Sequence, residues 1–420
     1  MKKIFSTVLF LSIISFLYLY FVNGSDESLK NDTDINISQN EEQDKYIVGE
    51  FFSEGMSVKD YEKTINYKTK YLQAKAVSYQ EVLYNFEKVL TYNEIEGLIN
   101  ALNLSKAVNV EIIGSSVDKR NIYSLEIGFG DDLILIDAGI HAAEIAGTLF
   151  ITKYIKDLVN DYEKGDSEVV NLLNKIKIIV IPSINPDGYE ATSFGPEVIK
   201  NKKLHIYKNR GDILFDTYKA NANGVDINRN LPSQHGGLHY KDVVLSETVS
   251  SKPTLGYFDY YPGESLGSEP ETKALIYWLH RYLNNAYAYI ALHSAGRVIY
   301  SGKPNLSALF NERSFKLAKI VENINGYEAL DEKYEDVGTG NDGTATDYAS
   351  EVLAGFNFSS KTGRLSNDFY QNPNALDSKT GVILIETLER YTHNIKKIKD
   401  EYYDEKINKV FDALLKSCTN

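Results

Sequence analysis

The chain has 420 residues, 43% of them hydrophobic and 12% aromatic, so it carries enough apolar surface for a large core and is not a disordered polymer. A formal net charge of −13 argues against a nucleic-acid surface, which needs clustered Lys and Arg. The single cysteine, Cys418, excludes an intrachain disulfide and a cysteine-rich zinc module, so any transition-metal site must draw on His and carboxylates.

Lys2 and Lys3 precede an apolar run from Ile4 to Val22, the pattern of an export signal, and the chain is expected outside the cytoplasm, secreted or on the extracellular face of the membrane. Residues 1–24 read as a signal peptide, cleaved before Ser25. An uncleaved anchor is the alternative, because the run approaches the roughly 20 residues that span a bilayer. Residues 25–77 form a polar tether and candidate pro-segment, residues 78–415 the main domain, and residues 416–420 a short tail. Val- and Ile-rich runs at 108–113, 122–127, 133–140, 176–184, 288–292 and 382–385 read as strands, several buried on both faces. Three-and-four spacing predicts helices over 145–162, 269–283, 310–324 and 393–415. This alternation predicts an α/β sheet flanked by helices, whose sites gather beyond the carboxyl ends of the strands.

Three of these strand ends deliver chemistry. The run LILIDAGI leads into His141-Ala142-Ala143-Glu144, a spacing that brings an imidazole and a carboxylate to one side of a turn. Alone it is weak, since a surface His beside a helix-starting Glu reads the same way. AYIAL leads into His293, and two strands each delivering a His, one with a nearby Glu, point to a catalytic zinc held by two His and one Glu. GVILI ends in Glu386, a candidate general base, with Glu389 as the less direct alternative. Asn185-Pro186-Asp187-Gly188 reads as a tight turn. In GVDINRN, Asn228 and Arg229 are candidates for gripping a peptide's terminal carboxylate, against the plainer reading of an Asn-rich loop tied by local bonds.

In their order, IGSSVDKRNIYSLEIG, IDAGIHAAEIAG, IPSINPDGYE, YKANANGVDINRNLP, SEPETKAL, IALHSAG and ILIETLE resemble the successive signatures of the M14 zinc carboxypeptidases. The resemblance covers about 78–415 and implies one domain with a central mixed, mostly parallel eight-stranded sheet. It implies one zinc ion on His141, Glu144 and His293, Glu386 as the catalytic glutamate, and Asn228 and Arg229 on the substrate carboxylate of a peptide. It leaves gaps: Ala143 stands where the digestive members have arginine, and the arginine that stabilises the oxyanion has no clear match, Arg210 and Lys219 being nearest. Tyr334 is the candidate for the mobile tyrosine, Thr346 falls where the terminal side chain is selected, and 350–379 looks like an inserted loop. The YKANANGVDINRN and HSAGRVIYSGK segments also resemble the bacterial branch that cleaves γ-D-glutamyl to diamino-acid bonds in peptidoglycan stem peptides. A zinc-free binding protein on the same fold is the reading of another class.

Overall fold

The computed structural model describes residues 70–72, 77–200, 215–231, 261–263, 267–302, 307–331, 343–353 and 379–419. The export segment, nearly all of the tether, Arg210, Tyr334 and most of the 350–379 insertion lie outside the described residues. Among those described, no helix is long and apolar enough to cross a membrane.

In chain order the elements are β1 (Lys70–Tyr71), α1 (Tyr92–Leu102), β2 (Val108–Ser115), β3 (Asn121–Gly128), β4 (Asp132–Ala138), α2 (Ile145–Glu163), α3 (Ser167–Leu173), β5 (Ile176–Ile181) and α4 (Pro186–Phe194). They continue with α5 (Pro270–Tyr282), β6 (Ala286–Ser294), β7 (Val298–Ser301), α6 (Ala308–Asn325), β8 (Glu328–Leu330), α7 (Ala345–Leu353), β9 (Gly381–Thr387), α8 (Ile395–Tyr403) and α9 (Ile407–Ser417). Strands β2 to β9 make the expected eight-stranded sheet, and the two-residue β1 extends one edge, in the order β1-β2-β3-β5-β4-β6-β9-β7-β8. The pairings β4·β5, β4·β6, β6·β9 and β7·β8 are parallel, and β2·β3, β3·β5 and β7·β9 are antiparallel. With β1·β2 also antiparallel the sheet is mixed, its parallel and antiparallel pairings equal in number, and the parallel run β5-β4-β6-β9 lies at its centre.

Alternation along the strands divides the core into two layers. Ile134, Ile136, Ile290, Leu292, Ile383 and Ile385 pack with Ile99, Phe150, Ile151, Leu317 and Phe411 from α1, α2, α6 and α9. Leu135, Tyr289, Ala291 and Val382 face the other way, against Leu275, Trp278 and Tyr348 of α5 and α7. Both faces are covered, which is why these strands read as continuous apolar runs.

Two expectations need correction. The segment Asn185-Pro186-Asp187-Gly188 opens α4 rather than closing an isolated turn. Asn185 Oδ1 accepts from Gly188 N at 2.9 Å as the N-cap, and Pro186, lacking an N–H, suits the first helical turn. The helix expected over 393–415 is two helices, because Lys406 takes a left-handed φ of +57° and redirects the chain. That break lets Ile407, Val410, Phe411, Leu414 and Leu415 bury on the sheet layer while α8 keeps its own contacts. The short strands β7 and β8 carry too few apolar residues to stand out from sequence.

Candidate metal centre

Strands β4, β6 and β9 are adjacent and parallel, so their carboxyl ends open on one edge. Ala138 lies beside Leu292, and His293 lies beside Glu386. Neighbours in register on parallel strands project to the same side, so His293 and Glu386 are delivered together. Gly139, with φ +65°, turns the chain out of β4, and a Cβ there would meet Thr148 Oγ1 at 2.4 Å. The His141–Glu144 turn is then pinned, since Ala142 N donates to Lys219 O at 3.1 Å and Ala143 N to Tyr218 O at 2.8 Å.

His141 Nδ1 lies 2.6 Å from Glu144 Oε1, and His293 Nδ1 lies 3.0 Å from Glu144 Oε2. One ligand atom from each of the three residues falls within 4.8 Å of the others, and all three are buried. Ser294 N also donates to Glu144 Oε2, at 3.0 Å. A buried carboxylate flanked by two imidazoles is a donor set that suits zinc and leaves room for a fourth ligand. Burial opposes ionisation of Glu144, but the two imidazoles hold it well below the usual carboxylate range. Burial likewise disfavours a charged His141, yet Glu144 and Asp226 together push that ring up to about 9. At His293 burial wins and the ring is lowered. One positive charge is therefore favoured beside Glu144, and a divalent cation meets the same demand with greater charge.

Asp226 was not singled out from the sequence. Its Oδ1 is 3.4 Å from His141 Nε2, and the same oxygen accepts from Asn228 N at 2.9 Å. It thus stands as a charge partner opposite the second nitrogen of a candidate ligand and fixes, by its bond from Asn228 N, the turn carrying Asn228 and Arg229. A carboxylate is the usual partner of a ligating imidazole, and that expectation, applied to GVDINRN, would have found it.

Around this cluster the structure gathers most of the expected residues. Glu386 Oε2 is shielded from solvent with no hydrogen-bond partner among the described residues. Burial and the charge of Glu144 push its carboxyl up to about 8. Glu389 is exposed and lies 3.4 Å from Arg297. Asn228 Oδ1 accepts from Ala345 N at 2.9 Å, which ties the Asn228–Arg229 turn to the start of α7 one residue before Thr346. Arg229 is buried, and its Nη1 donates to Asn228 O at 2.7 Å. Lys219 is close enough for its charge to act on His141, His293, Asp226 and Glu386, and its Nζ stands 5.8 Å from the centre of the Tyr391 ring.

The local-bond reading of the Asn-rich loop holds as well. Asn221 Oδ1 accepts from Asn223 N and Val225 N, and Asn221 Nδ2 donates to Glu269 at 2.7 Å and Glu271 at 3.0 Å. Asn185 Nδ2 donates to Ile140 O and Ala220 O, joining the turn before His141 to the one after Lys219. The loop is stiffened by its asparagines so that Asp226, Asn228 and Arg229 stand in fixed positions.

Residues 95–375 match the family described as zinc carboxypeptidase. The chain is 30% identical over 253 residues to gamma-D-glutamyl-L-diamino acid endopeptidase 1 of Lysinibacillus sphaericus, covering 59% of each protein. It is 25% identical over 255 residues to human carboxypeptidase A6, covering 58% of this chain and 53% of that one. It therefore spans little more than half the length of these two relatives. Among solved structures, thrombin activatable fibrinolysis inhibitor aligns with a TM-score of 0.54 at 21% identity, over 79% of this chain and 75% of that one. That likeness confirms the fold. The matched span ends before β9, so the place of Glu386 rests on the strand register rather than on the match. A mixed sheet whose adjacent parallel strands deliver two His and a Glu to one edge, joined to a family match over most of the domain, settles the relationship: the chain belongs to the M14 zinc carboxypeptidases.

Proposed function

We propose that this protein is a zinc-dependent metallocarboxypeptidase that hydrolyses the C-terminal bond of peptides, with Glu386 as general base. The observation that carries the reading is the buried Glu386 Oε2, without a hydrogen-bond partner among the described residues, beside the His141, Glu144 and His293 cluster. His141, Glu144 and His293 would hold the zinc, which when bound supplies Lewis-acid polarisation of the scissile carbonyl and a more acidic water. Glu386, as the carboxylate, takes a proton from the attacking water and returns it to the leaving amine. Arg229, with Asn228, holds the substrate's terminal carboxylate, a fixed planar guanidinium being suited to two parallel hydrogen bonds. Thr346, following the residue that Asn228 grips, adjoins the terminal side chain. Lys219, whose charge acts on Glu386, is one candidate for stabilising the oxyanion, and Arg210, outside the described residues, is the other.

The basic and then apolar pattern of Lys2 to Val22 supports action outside the cytoplasm, by secretion or membrane attachment, with 78–415 as the catalytic domain. A second reading is favoured by the Lysinibacillus relative, whose name describes an endopeptidase for gamma-D-glutamyl-L-diamino acid bonds. Under it the same residues act on cell-wall stem peptides.

The test is zinc content of the purified protein together with cleavage of ordinary peptides and γ-D-glutamyl-diamino acid peptides, with and without chelator. One zinc per chain and chelator-sensitive release of a terminal residue support the proposal, and the preferred substrate selects the branch. Glu386→Gln should retain zinc and lose about 10²- to 10⁴-fold in turnover. Full activity in that variant rules out Glu386 as base. A protein that neither binds zinc nor cleaves after zinc addition is a binding protein on this fold.

A further inference from the structure

Fifteen residues beyond Glu386, on α8, Glu401 is buried at 3% exposure. Its carboxylate takes donors from three separate segments. Arg297 Nε and Nη2 reach it at 3.2 and 2.6 Å, Leu388 N donates to Oε1 at 2.8 Å, and the Tyr327 hydroxyl also donates to Oε1. Arg297 lies four residues after His293, and Leu388 lies two residues after Glu386. One carboxylate thus holds the turn leaving β6 and the turn leaving β9 together.

Those two turns are joined directly as well. Gly296 N donates to Leu388 O at 2.7 Å, the Thr387 hydroxyl donates to His293 O at 2.9 Å, and Ser294 and Thr387 hydroxyls pair at 2.9 Å. Two of the three residues bonded to Glu401 have left-handed conformations, Leu388 at φ +63° and Arg297 at φ +55°. For residues with a Cβ such conformations are unfavourable and persist only where surrounding structure enforces them. Of the two bonds that hold the Leu388 peptide groups, one comes from Gly296 N to its carbonyl and the other, from its own N–H to Glu401, is the one that α8 supplies. Without it, relaxation of Leu388 toward ordinary φ would rotate the peptide that follows Thr387 and shift Glu386 relative to His293.

We propose that Glu401 is a positioning residue for the reaction, setting the separation of Glu386 from the His141, Glu144 and His293 cluster through Leu388 and Arg297. This rests on the reading of Glu386 as base. The Arg297 contact supplies charge and a two-pronged grip, and the Leu388 contact transmits it to the strand end bearing the base. Arg297 also meets Glu405 at 3.2 Å and Glu389, which lies in the β9 turn itself, at 3.4 Å, but both carboxylates are more exposed than Glu401 and neither accepts from the Leu388 N–H.

The experiment uses the full zinc-loaded chain with Glu401→Gln, Arg297→Gln, Arg297→Lys and Glu386→Gln in parallel, on whichever peptide the protein cleaves. Glu401→Gln and Arg297→Gln should lose about 10- to 100-fold in kcat, the scale of a misplacement near 1 Å, with KM changed less than about threefold and zinc content unchanged. The acidic limb of the kcat/KM profile should move in both, and Arg297→Lys should recover part of the lost kcat. A folded, zinc-replete Glu401→Gln with wild-type kcat and an unmoved acidic limb, lowered only in unfolding midpoint, would overturn the proposal. If that variant does not fold, the partly exposed Arg297→Gln decides by the same criteria. Turnover retained in Glu386→Gln would overturn the base reading itself. An inactive Glu386→Gln beside a fully active Glu401→Gln would overturn the positioning role alone.

Discussion

Gly343→Ala tests the link between backbone geometry and the grip on substrate. Gly343 has φ +81°, and a Cβ there would fall 2.4 Å from Arg229 O and 2.8 Å from Arg229 C. These are backbone atoms, so no side-chain rotation relieves the contact. The left-handed conformation alone costs an alanine about 1–2 kcal/mol, and overpacking adds about 1–3 kcal/mol, for a loss of about 2–5 kcal/mol. Relief requires a separation of about 0.6 Å, the step from 2.4 Å to about 3.0 Å, between the 343 turn and the Arg229 backbone. Leu231 N, which donates to Gly343 O at 3.2 Å, moves with it. If Arg229 anchors the substrate carboxylate, a shift of this size removes much of a charged hydrogen bond worth about 1.5–3 kcal/mol, and KM rises about tenfold. Turnover at saturation should change little, because the zinc ligands and Glu386 stand on other segments. Steady-state hydrolysis on a peptide series, with zinc content and urea unfolding measured in parallel, separates the terms. An unfolding midpoint lowered as expected beside an unchanged KM would refute Arg229 as the anchor.

Asp226→Asn should weaken zinc binding about 10- to 100-fold while leaving stoichiometry at one, because the partner of His141 Nε2 loses its charge; competition against a chelator of known affinity checks it, and an unchanged affinity removes Asp226 from that role. Burial, with the charges of Asp187 and Glu269, pushes Glu271 up to about 8 from an ordinary 4.5. The unfolded carboxyl ionises first as pH rises, so this group lowers stability progressively between about pH 4.5 and 8 and adds no further slope above that. Urea midpoints at pH 5, 6.5 and 8 should therefore decline less steeply in Glu271→Gln than in the wild type, and parallel slopes would contradict the assignment. Asn185→Ala removes the cap of α4 and the donor to Ile140 O and Ala220 O, and should cost about 2–4 kcal/mol in urea unfolding. A loss below about 1 kcal/mol would mean that water replaces those bonds without penalty.

Much of the fold was legible because its physical cause is local. Strands covered on both faces must be apolar throughout, so β2 to β6 and β9 stood out as runs, and the helices over them showed a single apolar stripe. His141, His293 and Glu386 were legible because each follows such a run directly, and in a parallel sheet the run's end is the site. Zinc followed from the donor types that a chain with one cysteine can offer. The break at Lys406 and the helix opening at Asn185 were missed because each depends on how the next segment packs, not on its own periodicity.

What the tertiary structure alone decided is adjacency. The order β4-β6-β9 and the pairing of His293 with Glu386 come from hydrogen bonds between strands separated by more than ninety residues in one case and about 150 in the other, which no local pattern encodes. The convergence of Asp226 on His141, of Asn228 on Ala345, and of Glu401 on both Arg297 and Leu388 is of the same kind. Sequence named the residues able to hold a metal and move a proton, because side-chain chemistry and strand ends are local properties. The folded chain chose which of them meet, because only packing brings distant turns within a hydrogen bond of one another.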